Sequence, residues 1–244
     1  MRKLLCLLIL TAFTGAASAQ NQNHTEDASP PSCGVSDFTH QTISEASSFG
    51  HGLLAAPRNA IRPSNLKWEI PVAAATAILI TQVDQPANNR IQSPAMERTA
   101  GQWSNIGLGM ELVASAATYA AGCHSRDHYL RDTGFKALAA MGAASVEDLV
   151  LKLAFDRQFP VNHQVTGEFW GGGRSFPSGH AANSFAFASV FAHRYPQKKW
   201  VKWGSYALAT GVSLSRYPAK KHFTSDILVG ATLGYVTGTY LSGH

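Results

Sequence analysis

The sequence predicts an all-α fold, a single bundle of about six helices, on three observations. From Trp68 onward the chain is a succession of long apolar segments rich in Ala and Gly. Pro, Asn and charged residues gather in the short stretches between them, where helices stop. Alternation of apolar and polar residues, the mark of a half-buried strand, is almost absent. A length of 244 residues suits one domain with a tail or leader and can bury a substantial core.

Met1-Arg2-Lys3 is a basic start, Leu4 to Phe13 an apolar run, and Ala17-Ser18-Ala19 an A-x-A cleavage site. Residues 1–19 therefore read as a secretory signal peptide cut before Gln20, which predicts export to a periplasmic or extracellular location. Residues 20–65 form a polar lead-in of Gln, Asn, Ser and Pro, with Pro30-Pro31 and Arg62-Pro63 interrupting any helix. The domain proper is expected over 66–244. Its helices are expected at about 70–83, 105–122, 134–154, 179–194, 200–214 and 223–241. Cys6 leaves with the leader. Cys33 and Cys123 could form one disulfide, or be one buried thiol and one in a tail, and the sequence leaves both open.

Composition excludes several classes. A 45% hydrophobic content is not that of a disordered chain. The formal charge is +5, and Arg2 and Lys3 lie in the leader, so the mature chain carries +3. With no Lys/Arg stripe, that excess does not point to nucleic acid. Charged residues make up 14% of the chain, well below the typical ~25%, yet a mean hydropathy of −0.06 argues against mostly lipid-facing helices. A span needs ~20 apolar residues. Segment 70–83 is bounded by Glu69 and Asp84, 105–122 contains Glu111, and 134–154 contains Lys136, Glu147, Asp148 and Lys152. Only 175–193 and 227–244 run nearly long enough without charge. A soluble or peripherally membrane-attached bundle is expected, with an integral one as the alternative.

Three segments carry chemistry. Ser175-Phe176-Pro177-Ser178-Gly179-His180 stands directly ahead of a helical run. Ser178 suits an N-cap, Gly179 admits close approach of backbone to a ligand, and the following amides form an anion site with His180 beside it. A plain helix cap is the competing reading. Ser215-Arg216, His222 and Asp226 form the second segment. His222 and Asp226 are four apart and share a helix face. A carboxylate there can fix the imidazole tautomer and leave Nε2 with a free lone pair, while Arg216 offers a fork for phosphate oxygens. Such a pair can also be a surface hydrogen bond. As a zinc site it lacks ligands and an H-E-x-x-H partner, so no metal is expected. The third segment runs from Lys152 through Arg157 and Phe159 to Pro160. Alone it reads as solvated cations at a helix end.

These segments, in this order, resemble the type 2 phosphatidic acid phosphatase/haloperoxidase superfamily. Its signature is Lys, six residues, Arg-Pro; then Pro-Ser-Gly-His; then Ser-Arg, five residues, His, three residues, Asp. The second motif is complete at 177–180, and the third at Ser215, Arg216, His222 and Asp226. In the first, Lys152 and Pro160 fit, but Phe159 stands where the family has Arg. The resemblance covers roughly 134–240. It implies a metal-free phosphoryl transfer: His222 as nucleophile, Asp226 orienting it, and His180 as proton donor to the leaving oxygen. Lys152, Arg157, Ser178, Gly179 and Arg216 hold the phosphoryl oxygens. Arg157, with Arg174 as a second candidate, is expected to compensate for Phe159.

The reading is a phosphomonoesterase for a lipid phosphate or a small soluble phosphate, needing no cofactor. A vanadate-dependent haloperoxidase and a non-catalytic phosphate-binding relative are the alternatives. The partner is the phosphorylated substrate, with membrane association allowed.

Overall fold

A computed structural model describes residues 33–34, 36–44, 47, 50, 63–85, 93–160 and 167–243. The signal peptide expected at 1–19 and most of the polar lead-in lie outside the described residues. Helix α1, Pro63–Ile78, opens on a proline at its first position, where no intrahelical N–H is lost. It continues as a π-helical turn, Leu79–Val83. Helix α2, Pro94–Ser125, is capped by Ser93, whose side chain accepts from the Met96 amide. Arg126 ends it in the left-handed conformation (φ 57°), and Asp127 at once caps α3, His128–Phe155, through the Leu130 amide at 3.0 Å. Helices α4 (Gly179–Arg194), α5 (Lys199–Ser215) and α6 (Thr224–Ser242) complete the bundle. Among the described residues there are no strands, as an all-α fold requires.

α4 is the central helix. Ala181, Ala182, Ala186 and Ala188 are fully buried, and side chains this small let α3, α5 and α6 close around it. Phe155, Phe176, Phe187, Leu233 and Leu241 fill the remaining core. α6 lies against α4 through Gly230, Gly234 and Gly238, three glycines on one helix face. A Cβ on Gly234 would stand 1.9 Å from the Ala182 carbonyl oxygen, and one on Gly230 2.4 Å from that of Ser178. Their absence lets the two backbones touch and sets the N-terminus of α4 against that of α6. Gly234→Ala is therefore expected to lower stability by about 3 kcal/mol, the upper range for overpacking. A urea midpoint equal to wild type would contradict this contact.

α2 and α3 run antiparallel, with Gly122 against Arg131 and Gly134 against Tyr119. α2 is long and apolar enough to cross a membrane by length and composition. Glu111, the charge that counts against such a helix in the sequence, is turned inward, where Ser184 Oγ donates to it at 2.6 Å. Trp103, Ile106, Met110, Leu112 and Val113 of α2 point outward, as do Val146, Leu149, Val150 and Leu153 of α3. Cys33 and Cys123 are joined in a disulfide across a separation of 90 residues. The bond ties the lead-in to the C-terminal end of α2.

Candidate active site

At the end of the bundle where α3 stops and α4 and α6 begin, the three sequence segments meet. Asp156 takes a left-handed conformation (φ 40°) and turns the chain out of α3. Ser175 N then donates to Arg157 O at 2.9 Å, and Ser178 N to Asp226 O at 3.0 Å. The first bond ties the segment before α4 to the chain leaving α3, and the second locks the start of α4 onto the start of α6. Ser178 occupies the expected N-cap position but makes no side-chain cap hydrogen bond. Its Oγ is buried and unpartnered, beside the N–H groups at the positive end of α4.

His222 is 5% exposed. Its Nδ1 lies 2.6 Å from the carbonyl oxygen of Ser175 and 3.8 Å from Asp226 Oδ2. The spacing of the motif leads one to expect Asp226 to accept from Nδ1, and here the structure differs. Asp226 Oδ2 is already taken by Ser175 Oγ and by the Phe223 amide at 2.9 Å. A carbonyl oxygen can only accept, so Nδ1 carries the hydrogen and Nε2 keeps its lone pair. The result is the tautomer a nucleophile needs. Burial lowers the His222 pKa, with Asp226 opposing, so the ring is held neutral. Burial alone would raise Asp226, but the charge of Arg157, His222 and the Ser175 hydroxyl outweigh it and leave the carboxyl below its ordinary value.

His180 lies in the first turn of α4, with Nε2 2.9 Å from Asn105 Oδ1 on α2. Burial, then the nearby Arg216, His222 and Lys152, lower its pKa to about 4. Arg216 follows α5. Its Nη1 donates to Ser104 Oγ at 2.7 Å, its Nε is buried without a partner, and burial lowers its pKa to about 10. Lys152 Nζ donates to both oxygens of Asp148, at 2.5 and 2.6 Å, and to Pro177 O at 2.8 Å. Phe159 stands with its ring centroid 6.5 Å from that of His222.

Arg157 is placed differently from the sequence expectation. It is 1% exposed and lies behind Asp226, away from the donors just described. Its Nη1 donates to Asp226 Oδ1 and to Ser225 Oγ, its Nη2 to Asp84 Oδ2 at 2.8 Å, and its Nε to Gly167 O at 3.0 Å. The guanidinium also sits over the Phe223 ring, 4.3 Å from its centroid. A fork so fully engaged is a brace for the Asp226 carboxylate and has no face to offer an incoming anion. Arg174 is exposed and does not compensate for Phe159 in its place.

The structure also brings in residues that the motifs do not contain. Asp84, turned inward after the π-helical turn, accepts from the Ser225 amide and hydroxyl as well as from Arg157. Ser104 and Asn105 are polar residues inside an Ala- and Gly-rich helix, which was the signal that they face something polar. Asp148 stands four residues before Lys152, the spacing of a helical ion pair. Among the described residues, no group of three or more His, Cys, Asp or Glu is arranged to hold a metal ion.

The signature of the PAP2 superfamily matches residues 133–242. Over 65 residues the chain is 37% identical to a lipid A 1-phosphatase of Porphyromonas gingivalis. That match covers 26% of this chain and 15% of the other protein, so the chain is similar to a small part of that relative's length. The crystal structure of a transmembrane PAP2-type phosphatidylglycerolphosphate phosphatase from Bacillus subtilis superposes with a TM-score of 0.49 at 21% identity, covering 71% of this chain and 94% of that one. With the second and third motifs complete, the first lacking its arginine at Phe159, and both site histidines inside the matched stretch, residues 133–242 are a PAP2 superfamily domain.

Proposed function

We propose that the protein is a phosphatase that hydrolyses the phosphate monoester of a lipid, through a phosphohistidine on His222 and without a metal ion. The observation that carries this reading is the convergence of unused donors beside a nucleophile. Ser178 Oγ and Arg216 Nε are both buried without partners, at the helix N-terminus that His222 adjoins. Buried donors left empty cost free energy, and three phosphoryl oxygens would satisfy them.

In the first step Nε2 of His222 forms a bond to phosphorus as the ester P–O bond breaks, and His180 gives its proton to the departing oxygen. In the second, water attacks the phosphohistidine, His180 takes the water's proton, and the P–N bond breaks to release phosphate. Donors fixed in place around the equatorial oxygens stabilise the transition state. Asp226, braced by Arg157, faces the positive charge that develops on His222.

Two observations favour a lipid. The outward faces of α2 and α3 are apolar along the stretches that lead to the site, a surface that a membrane would cover. The similar protein from P. gingivalis is a lipid phosphatase by name. The disulfide supports an oxidising, exported location. Dioleoyl phosphatidate in mixed vesicles and glucose 6-phosphate distinguish the substrate classes. The lipid should have the higher kcat/KM by at least about ten-fold, or about 1.4 kcal/mol, with EDTA leaving both rates unchanged. Preference for the sugar phosphate would overturn the lipid assignment. Loss in EDTA, restored by zinc or magnesium, would overturn the mechanism.

A further inference from the structure

Asp148 belongs to none of the three motifs, yet its carboxylate lies inside the site. Its Oδ2 is so close to Gly179 that a Cβ there would stand 2.8 Å away. It is 8% exposed, and both its oxygens accept from Lys152 Nζ. Lys152 is one of the cations available for the phosphoryl group, and here it is neutralised by its own neighbour. A carboxylate thus occupies the ground beside the N-terminus of α4 where an incoming anion must lie. Burial pushes the Asp148 carboxyl up and the Lys152 ammonium down, each partly offset by the other. The two form a pair that is costly to keep desolvated.

Resting on the phosphatase reading above, we propose that Asp148 is a positioning residue: it holds Lys152 as an internal counter-ion and so limits how tightly the site retains phosphate. A phosphoryl group binds by drawing the ammonium off Asp148, while Pro177 O keeps the Lys152 side chain in place. The exposed charge of Asp148 then opposes the bound anion and favours release of product. With Phe159 in place of a family arginine, the exchange further weakens the hold on a free phosphate ion. A substrate with an apolar body gains affinity from that body, and the departing phosphate does not.

Asp148→Asn keeps the shape and removes the charge. Inorganic phosphate should inhibit this variant at least about ten-fold more tightly than wild type, KM should fall, and kcat should not rise. Asp148→Glu should restore weak product inhibition. A merely structural role would lower the melting temperature and leave the phosphate inhibition constant unmoved, and that result overturns the inference. The wild-type protein supplies a second measurement, independent of how the variants fold. In crystals soaked with tungstate, Lys152 Nζ should leave Asp148 for an oxyanion oxygen. Tungstate bound with Lys152 still on Asp148 overturns the inference alone. Wild type that binds neither tungstate nor phosphate overturns the phosphatase reading, and the inference with it.

Discussion

His222→Ala is expected to abolish turnover of every phosphate ester, while the variant should still bind inorganic phosphate. In the proposed mechanism Nε2 forms the bond to phosphorus, and no neighbouring group is free to replace it. Asp226 is engaged by Arg157, Ser175 and the Phe223 amide, and His180 is held by Asn105. The expected fall in kcat is about 10⁴-fold or more, the scale on which loss of a nucleophile acts. Binding survives because the donors Ser178, Arg216 and Lys152 remain. Acid quench of the wild type with labelled substrate should trap phosphohistidine, and the variant should show none. His180→Ala differs in kind. It should be severe for an alkyl phosphate and mild for p-nitrophenyl phosphate, whose leaving group needs no proton. An His222→Ala variant with more than trace activity would remove the nucleophile assignment.

In the proposed mechanism the same two rings set the pH dependence. Attack requires His222 neutral, and burial lowers its pKa, so activity is lost only as pH falls through that lowered value. Departure of the leaving group requires His180 protonated, and activity is lost as pH rises through its pKa. Burial and the neighbours Arg216, His222 and Lys152 hold that pKa at about 4. A bound phosphoryl dianion offsets those cations and raises it. The alkaline limb of kcat should therefore lie at higher pH than that of kcat/KM, because the first reports the complex and the second the free enzyme.

Much of this was legible in the sequence because the motifs fix short-range geometry. Helices α4, α5 and α6 fall within a residue or so of the expected 179–194, 200–214 and 223–241. Ser178, Gly179, His180, Arg216, His222 and Asp226 meet at one end of the bundle as their order implies. Starts that lack an apolar texture were less legible. α2 begins at Pro94, eleven residues before the expected 105, because 94–104 is of mixed polarity. The Ser93-Pro94 capping signal was the better guide. Pro63 likewise looks like an interruption and is instead a helix start. Side-chain partners across the bundle were not legible at all. Asp84 reads as a charge that bounds a segment, and only the tertiary fold brings it to Arg157 and Ser225. The Nδ1 partner of His222 is a backbone carbonyl, which no residue type can announce.

Arg157→Ala should be nearly as damaging as loss of a catalytic group, but through Asp226 and not through phosphate. Removing the guanidinium leaves Asp84 and Asp226 buried without their shared cation, and breaking a buried pair in this way costs about 3–5 kcal/mol. The unfolding midpoint should fall accordingly, and kcat with it, because an unbraced Asp226 no longer fixes Ser175, whose carbonyl sets the His222 tautomer. Arg157→Lys should not rescue it, since one ammonium cannot reach Asp84, Asp226, Ser225 and Gly167 together. The inhibition constant of inorganic phosphate separates the two accounts. It should stay within about two-fold of wild type in Arg157→Lys, a difference of a few tenths of a kcal/mol. A cation on the phosphoryl oxygens would instead show its loss there first. Phe159→Arg gives the reciprocal result. It adds a fork near His222 where the clamp lacks one, and phosphate should inhibit that variant about ten-fold more tightly. If Arg157→Lys weakens phosphate strongly while Phe159→Arg changes nothing, the buried arginine reaches the anion after all, and its bonds to Asp84 and Asp226 are not its working partners.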